Sequence, residues 1–354
     1  MKRASTAAFI GLLLVVLSSC GGNSLNSADG ETVTVTGKFG EAQVPVGAAR
    51  VLPLSPQDAD MVISIGVMPI ALPTDANILV STNGVGAWPW QVDALAEVGY
   101  QVLPPDPGGG VDALLSAGDR EIPTLLFDGD PQSYLEQIVA LQPDVIVATG
   151  QWSLTEGAYE QLSNVAPVVH FDEKANAEPW QDSTRKIGKA LGRDDAAQTA
   201  VATTEARLAT VRAAHPEFEG VQFNAVIGDL NGQLYILADE GRGIGMAMKD
   251  LGFQLTDWAK TVATDADGRG VISYEFVAQL DTDIAVVISP SGDIDYMRDN
   301  AQWRNLSTVQ RGAIVSIARN SGVPNALGFP SPISLPWGVD RVTDALSTAA
   351  SRIP

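Results

Sequence analysis

The sequence contains one short pattern twice, and this repeat constrains the fold more than any other feature. In each copy a glutamate is followed by a leucine five residues later and an aspartate three residues after that; the copies run over residues 136–147 and 275–286. The apolar residues at helical spacing indicate a helix, and the apolar run that follows indicates a buried strand after a turn. The repeat predicts two lobes of similar topology. Chance similarity between helix–turn–strand units is the alternative.

Each glutamate of the repeat lies off the apolar stripe of its predicted helix. The stripes consist of Leu135, Ile138 and Val139 in the first copy and of Phe276, Val277 and Leu280 in the second. Glu136 and Glu275 are therefore expected on the surface, one on each lobe. An isolated surface carboxylate ordinarily does no more than contact solvent.

Short apolar runs alternate with helical stretches along the rest of the chain. The runs lie at residues 50–54, 122–127, 145–148, 223–227, 284–288 and 314–317. This alternation is typical of an α/β fold with mainly parallel sheets. Before the first run, alternating Thr and Val within residues 32–46 predict an edge strand or hairpin.

The middle of the chain is predicted to be helical. One helix is expected over residues 180–191 and a second, Ala-rich helix over 194–214. About 20 residues at ~1.5 Å each span ~30 Å, the width of a small domain. Such a helix can join two lobes as a stiff strut that permits only small rocking motions. The expected segments are an N-terminal α/β lobe at 32–178, a connecting helical segment at 179–215 and a C-terminal α/β lobe at 216–354.

The beginning of the chain has the pattern of a lipoprotein signal. A positively charged start precedes an apolar run from Phe9 to Leu17, which is too short for a permanent spanning helix, and Leu-Ser-Ser-Cys ends at Cys20. We expect residues 1–19 to be removed, Cys20 to be lipidated and residues 20–31 to form a flexible linker. The folded body would then lie outside the cytoplasmic membrane, anchored by its N-terminal lipid. A buried core cysteine after a short membrane anchor is the alternative.

Composition limits the chemistry that this chain can perform. With Cys20, His170 and His215 as its complete set of Cys and His residues, it cannot build a structural zinc site, an iron–sulfur cluster or a disulfide. Its formal net charge of −20 repels phosphate backbones, so no nucleic-acid partner is expected. Phosphate-loop, His-Glu-x-x-His and Gly-x-Ser-x-Gly motifs are absent from the sequence. We therefore expect no enzyme activity, no catalytic residue and no metal ligand.

A series of segments resembles a known family. They are Arg50–Leu54 leading to Ile65–Pro69, Tyr134–Val147, Tyr159–Leu162 followed by Val165–Val169, Ile187–Gly192, Ile272–Glu275, and Trp303–Leu306 followed by Gly312–Val315. Together with the signal ending at Cys20, their order and spacing are similar to those of the proteins that bind ferric siderophores or cobalamin for ABC importers. The resemblance covers about residues 48–350.

The resemblance implies both architecture and partners. It implies two α/β lobes joined by one long helix, with the ligand in a shallow groove between the lobes. It also implies that Glu136 and Glu275 dock onto arginines of a membrane permease, and that the protein works as a monomer. No cofactor is implied, because a siderophore brings its own ferric ion.

Candidate ligand-binding residues are aromatic and arginine side chains on loops after predicted strands, since such loops converge on the cleft of α/β lobes. The candidates are Trp88, Trp90 and Trp152, which lie among Gly, Pro and Ser with little apolar pattern to bury them, together with Tyr235, Arg242, Trp258 and Arg298. The resemblance implies a ligand-facing aromatic at Trp152 and a ligand-binding arginine at Arg242. Arg242 could equally pair with Asp239 or Glu240. Trp180, Trp303 and Trp337, within helical patterns, are expected to be structural.

The acidic charge of the body favours a neutral or cationic ligand over a multiply anionic one. We therefore expect a ferric siderophore of the hydroxamate type, captured for iron uptake. Cobalamin or haem is the alternative ligand of the same importer type, although haem would usually need an axial His or Tyr, and neither histidine lies on a predicted groove loop. A surface lipoprotein with a transporter-independent role in the envelope is an alternative of a different kind.

Overall fold

The computed structural model of the chain describes residues 30–106, 110–126, 134–230, 233–265 and 268–354. The predicted signal peptide, Cys20 and linker residues 20–29 lie outside these ranges, so their assignment stays a prediction. Across the described ranges, no helix combines the length and the hydropathy that crossing a lipid bilayer would require.

Strands and helices alternate along the described chain. The strands are β1 (Thr32–Gly37), β2 (Gly40–Pro45), β3 (Val51–Pro53), β4 (Leu72–Thr74), β5 (Gln101–Leu103), β6 (Glu121–Leu126), β7 (Val145–Ala148), β8 (Val168–His170), β9 (Gln222–Leu230), β10 (Gln233–Leu237), β11 (Gln254–Leu255), β12 (Arg269–Ser273), β13 (Ile284–Ser289) and β14 (Ile314–Ala318). The helices are α1 (Pro56–Ser64), α2 (Ala76–Ser81), α3 (Pro89–Glu97), α4 (Gly110–Leu115), α5 (Leu135–Leu141), α6 (Glu156–Ser163), α7 (Trp180–Ala190), α8 (Asp194–Ala214), α9 (Ile244–Asp250), α10 (Asp257–Thr261), α11 (Asp295–Asp299), α12 (Ala301–Arg304), α13 (Ser307–Arg311), α14 (Val323–Gly328) and α15 (Ser334–Ala350). Short 3₁₀ segments cover Pro216–Phe218, Tyr274–Leu280 and Arg319–Ser321.

Several helices begin at a side chain that accepts a hydrogen bond from the first turn. Ser55 caps α1, Asp75 caps α2, Thr155 caps α6 and Thr256 caps α10. Such caps satisfy backbone N–H groups that have no partner within the helix. They fix where the chain leaves each preceding strand or loop and enters the helix.

The N-terminal lobe contains two three-stranded parallel sheets, in the orders β3–β7–β8 and β4–β6–β5. Apolar side chains from these strands pack on α5 and α6, with Leu52, Ile138, Ile146 and Leu162 fully buried. The predicted N-terminal hairpin is confirmed: β1 and β2 are antiparallel and join at Gly37–Gly40.

The C-terminal lobe is built on a single mixed sheet with the order β12–β10–β9–β13–β14, and β11 pairs with β9 at a branch. Strands β9, β13 and β14 are parallel, whereas β10 and β12 are antiparallel to their neighbours. The two α/β lobes predicted from the sequence are therefore present, and the parallel pairing holds for most of their strands.

The internal repeat is confirmed in its topology, with one difference in detail. The first copy forms α5 and then β7, whereas the second forms the 3₁₀ segment Tyr274–Leu280 and then β13. The aspartate of each copy accepts hydrogen bonds from backbone N–H groups at or just before the start of a neighbouring strand. Asp144 accepts from Ala49 and Arg50, just before β3, at 2.8 Å. Asp283 accepts one from Gln222, the first residue of β9, at 3.0 Å. Each aspartate thus holds the start of its own strand, β7 or β13, beside the start of a neighbouring strand.

The apolar stripes of the repeat were predicted wrongly at one position in each copy. Val139 is 50% exposed and Phe276 is 47% exposed. Ile138 and Val277, also in the predicted stripes, are buried as expected. A helix or a 3₁₀ segment of only seven residues presents a narrow face to the sheet, which leaves Val139 and Phe276 outside it.

Helix α8 packs one face against a hydrophobic core that both lobes share, while most of its other side chains are exposed. Its buried residues Ala197, Val201, Leu208 and Val211 belong to one cluster with side chains from the sheets of both lobes. The two predicted helices of the connecting segment are confirmed as α7 and α8. Because close-packed interiors resist deformation, this shared core limits the lobes to small relative movements.

His170 fastens the N-terminal hairpin to the first lobe. The side chain is buried at the end of β8, and its Nε2 accepts a hydrogen bond of 2.9 Å from the backbone N–H of Phe39. Its Nδ1 lies 3.0 Å from the carbonyl oxygen of Val168, so the neutral ring carries its proton on Nδ1. Burial lowers the pKa of His170 from its ordinary value of 6.5. A protonated ring could not accept from Phe39.

We expect this histidine to make stability fall in acid. Because the pKa of His170 is lower in the folded than in the unfolded chain, its contribution is complete above the unfolded value of 6.5 and is lost as the pH falls below it. Urea unfolding of the wild type and of His170→Gln at several pH values measures this. The free energy of unfolding of the wild type should fall relative to that of the variant below about pH 6.5. Parallel pH profiles would contradict the role of His170.

Candidate functional site

Loops that follow strands of both lobes meet at the lobe boundary. From the first lobe, α1 follows β3, and α2 follows β4. The amide nitrogen of Gln57 in α1 donates a hydrogen bond of 2.9 Å to the carbonyl oxygen of Pro330 in the second lobe. Helix α2 contacts the turn Arg319–Ser321 that follows β14. Ligand sites of α/β proteins commonly lie at such an edge.

Asp58 holds the loop after β7 against the start of α1. Its fully buried carboxylate accepts hydrogen bonds from the backbone N–H and hydroxyl groups of Thr149 at 2.9 and 2.6 Å, and from the N–H of Gly150 at 3.1 Å. The hydroxyl of Ser55 donates to it at 2.6 Å. Desolvation by burial raises the pKa of Asp58 even though these hydrogen bonds lower it. The loop is therefore fixed by side-chain and backbone contacts within the first lobe.

Gly150 allows this close approach. A Cβ atom at this position would lie 2.5 Å from Ser55 Oγ and 3.0 Å from Gln57 Oε1. The next residue, Gln151, is buried and donates to the carbonyl oxygen of Leu54 at 2.8 Å. The chain then turns Trp152 outward, since its predecessor occupies the space beneath the loop.

Trp152 presents most of its indole to solvent. It is 77% exposed, the largest exposed fraction among the large apolar side chains that the structure describes. From the second lobe, Phe329 is 51% exposed and immediately precedes Pro330, the residue that Gln57 contacts. Sequence reasoning missed Phe329. The signal available for it was an aromatic residue between Gly328 and Pro330, in the break between two helices.

Trp88 and Trp90 are buried, contrary to the expectation that little would bury them. They are 3% and 4% exposed and stack with their ring centroids 5.2 Å apart. Trp337 of α15 packs against Trp90 at 4.9 Å, and Gly322 of the second lobe lies beside all three indoles. The partners that bury them come from the far end of the chain, so the local pattern did not reveal them. We call Trp88, Trp90 and Trp337 the tryptophan cluster.

Arg242 lies in the second lobe near the Phe329 segment. Its Nε is 3.4 Å from a carboxylate oxygen of Asp239, the pairing considered as an alternative from the sequence. The adjacent Gly243 approaches Gly328, since a Cβ atom there would lie 3.6 Å from the carbonyl oxygen of Gly328. The side chain of Arg242 is about one quarter exposed, at 24%. It therefore lies at the boundary with its charge partly balanced.

The other candidates of the second lobe lie in three different settings. Tyr235 is half-buried on β10, opposite Gly228, where the guanidinium of Arg319 also approaches. Trp258 packs against the hydrophobic core. Arg298 forms an ion pair of 3.1 Å with Asp295 one turn earlier in α11. The expectation that Trp180 and Trp303 are structural is confirmed, since both are fully buried.

Glu136 and Glu275 are both exposed, as expected for surface glutamates of the repeat. Glu136 lies in the first turn of α5, and Glu275 lies in the first turn of the 3₁₀ segment, where it accepts a hydrogen bond of 2.9 Å from the hydroxyl of Ser273. Each is accompanied by one of the exposed apolar side chains of the repeat, Val139 or Phe276. A cleft of about 300 Å³ lies beside Glu275.

The groups at the lobe boundary suit recognition by stacking and hydrogen bonding. They offer indole, phenyl, amide and guanidinium surfaces. Within the described ranges, no group of three or more His, Cys, Asp or Glu side chains is placed to hold a metal ion.

Comparison with known proteins gives consistent similarities along nearly the whole chain. The chain is 23% identical over 358 residues to the iron(3+)-hydroxamate-binding protein FhuD of Bacillus subtilis (strain 168), covering 98% of each chain. Its fold is similar to that of PiaA from Streptococcus pneumoniae TIGR4, solved in complex with ferrichrome, with a TM-score of 0.73 and 21% identity over 91% of this chain and 100% of the other. A periplasmic solute binding protein from Mycobacterium smegmatis matches with a TM-score of 0.70 and 23% identity over 90% of this chain and 99% of the other.

The family assignment rests on a separate comparison. A family model described as periplasmic binding protein matches residues 80–320, which include strands β5 to β14 and helices α7 and α8. This match extends over well more than half of the chain, and the chain therefore belongs to the periplasmic binding protein family.

Proposed function

We propose that this protein captures a ferric siderophore of the hydroxamate type between its lobes and delivers it to an ABC transporter permease for iron uptake. The observation that carries the proposal is the pair of exposed aromatic side chains at the lobe boundary, Trp152 from the first lobe and Phe329 from the second. Exposed aromatic surface of this kind commonly marks a binding site. The similarity to FhuD, an iron(3+)-hydroxamate-binding protein, and to PiaA, solved in complex with ferrichrome, supports the choice of ligand.

The charge of the boundary favours a ligand without strong negative charge. Arg242 is partly balanced by Asp239, and the whole chain carries a formal net charge of −20. A multiply anionic chelate would be repelled by the body and would find little uncompensated positive charge at Arg242. A neutral ferric trihydroxamate avoids both costs and can stack its faces on aromatic rings.

We further propose that the protein is a binder without catalytic activity and works as a monomer outside the cytoplasmic membrane. The signal sequence and Cys20 support export and lipid anchoring. The family consists of binding proteins, and the ferric ion would arrive as part of the cargo. Glu136 and Glu275, one on each lobe, would then be the contacts to the permease.

Capture of the ligand can be measured directly by calorimetry. Calorimetric titration of the purified protein with ferrichrome should be saturable, and iron-free ferrichrome should bind more weakly. Trp152→Ala should weaken binding by about 1–2 kcal/mol, roughly tenfold in Kd, because it removes an aromatic face. Phe276→Ala is the matched control, since it also removes an exposed aromatic ring but lies in the repeat, and should bind as the wild type does.

The same titration distinguishes the other ligands. A ferric catecholate, ferric citrate, cobalamin and haem are tested beside ferrichrome. Saturable binding of one of these in place of ferrichrome would replace the hydroxamate assignment, and absence of binding across the panel would contradict the proposal of siderophore capture.

Docking to the permease can be tested by reversing the charge of both repeat glutamates. Glu136→Arg combined with Glu275→Arg should reduce uptake of ⁵⁵Fe-ferrichrome to the level of cells lacking the protein, because both carboxylates that meet permease cations are reversed. The affinity for ferrichrome should be unchanged. The control is Glu97→Arg combined with Glu156→Arg, which reverses two exposed helical glutamates outside the repeat. Wild-type uptake by the first double variant would refute the docking role.

A further inference from the structure

Asp60 joins the two lobes through one buried carboxylate. It lies on α1 and is 2% exposed. Oδ2 accepts hydrogen bonds of 2.8 Å from the indole N–H of Trp90 and of 2.8 Å from the hydroxyl of Ser331, and Oδ1 accepts one of 2.7 Å from the amide of Gln91. Trp90 and Gln91 belong to α3 of the first lobe. Ser331 lies between α14 and α15 of the second lobe, so a single side chain links three parts of the boundary.

The hydrogen bond from Trp90 to Asp60 gives the tryptophan cluster a polar anchor. Trp88 stacks on Trp90, and Trp337 packs against it from the second lobe. The indole N–H of Trp337 is buried and has no hydrogen-bond acceptor among the described residues. Its ring is held by Trp90 and by the guanidinium of Arg341, which lies 3.5 Å from the ring centroid. The position of Trp337 therefore depends on that of Trp90.

A neighbouring residue provides a natural comparison. Asp58 is also fully buried on α1, but its partners Ser55, Thr149 and Gly150 all belong to the first lobe. The two carboxylates lie on the same helix and both accept hydrogen bonds, but their partners belong to different parts of the molecule. Asp58 fixes a loop within a lobe, whereas Asp60 crosses from one lobe to the other.

We propose that Asp60 is a positioning residue for ligand capture, whose carboxyl group sets how the tryptophan cluster and the Ser331 segment lie against each other and thereby sets the affinity of the groove. This inference rests on the proposed function. Asp60 does not contact the ligand in this account. It acts through its hydrogen bonds to Trp90 and Ser331, which fix the position of α3 in the first lobe relative to the Ser331 segment in the second.

The surroundings of Asp60 make this link sensitive to protonation. The pKa of Asp60 is raised to about 7: burial is the main cause, the nearby Asp58 adds to the rise, and the hydrogen bonds from Ser331, Gln91 and Trp90 oppose it. Asp58 is the ionisable group that faces Asp60 from α1. From the other packed elements, α3 and the Ser331 segment present N–H and O–H donors, and Arg341 of α15 lies against the Trp337 ring.

Protonation would change the bond that crosses the lobes. A proton on Oδ2 would meet the hydroxyl of Ser331, which also lies 2.9 Å from Ser334 Oγ. Ser331 can then turn its own proton towards Ser334 and accept from Asp60, so that the direction of the crossing hydrogen bond reverses. The folded pKa lies above the unfolded value of 3.8. Asp60 therefore contributes most stability below that value, and its contribution is lost as the pH rises through about 7.

Near-ultraviolet circular dichroism tests this link without any ligand. Spectra of the wild type, Asp60→Asn and Asp58→Asn are recorded from about pH 5.5 to about pH 8.5. The tryptophan signal of the wild type should titrate with a midpoint near the pKa of about 7. Asp60→Asn should abolish the titration, whereas Asp58→Asn should retain it with a lower midpoint, because Asp58 no longer raises the pKa of Asp60. His170 and His215 make their ring contacts with Phe and Tyr residues rather than with the tryptophan cluster.

Calorimetry with ferrichrome then tests capture. The Kd of the wild type should change severalfold across this pH range, and that of Asp60→Asn should stay constant. Ser331→Ala, which removes only the donor from the second lobe, should weaken binding at all pH values and gives a second test should Asp60→Asn fail to fold. A tryptophan titration that survives in Asp60→Asn, or equal pH profiles of affinity in both proteins, would overturn the inference. If ferrichrome does not bind at any pH, the proposed ligand fails, while the spectra still decide whether Asp60 controls the cluster.

Discussion

Burial of two carboxylates on α1 is the interaction on which the arrangement of the lobe boundary depends. Removing a carboxylate from water costs several kcal/mol unless hydrogen bonds replace its hydration. Asp58 and Asp60 recover that cost from donors supplied by other elements, so the helix, the loop after β7 and the Ser331 segment must come together in one geometry. Burial of such groups contributes little net stability. Its consequence is that α1, the loop after β7 and the Ser331 segment are held in one relative arrangement, which a binding site needs.

The shared core along α8 explains why such small linkages matter. Lobes joined by flexible strands could close over a ligand by a wide rotation, and the details of the open boundary would then be of little importance. Here Val201 and Leu208 pack in a core continuous with both sheets. Under the proposed function, a groove at this boundary would be largely preformed, and its affinity would depend on contacts such as Gln57 to Pro330 and Asp60 to Ser331. Preformed sites of this kind gain affinity because little order is lost on binding.

Local patterns in the sequence were sufficient for the hairpin, for helices α7 and α8 and for strands β3, β6, β7, β9, β13 and β14, because each depends on periodicity and on end signals within a few residues. They did not identify the short strands β4, β5 and β11, nor β8, β10 and β12. The tryptophan cluster was not predictable in this way. Trp88 and Trp90 lie in a Gly- and Pro-rich segment, and what buries them is Trp337, almost 250 residues later. Asp60 was missed for the same reason, since an aspartate on a short helix shows its importance only through Ser331.

The geometry of the repeat also relates the proposed ligand site to the proposed permease contacts. In an α/β unit the helix runs antiparallel to the strand it precedes, so its first turn lies towards the carboxyl ends of the strands. Helix α5 spans about 10 Å and β7 about 13 Å, which brings Glu136 close to the edge where Trp152 lies. Asp144, at the other end of the same unit, holds the amino ends of the strands together. Since Glu275 has the corresponding position in the second lobe, a permease that binds both glutamates would contact the molecule at the edge where the groove opens. Under the proposed function, a small rocking of the lobes would change the separation of the two glutamates and so make contact with the permease depend on ligand occupancy.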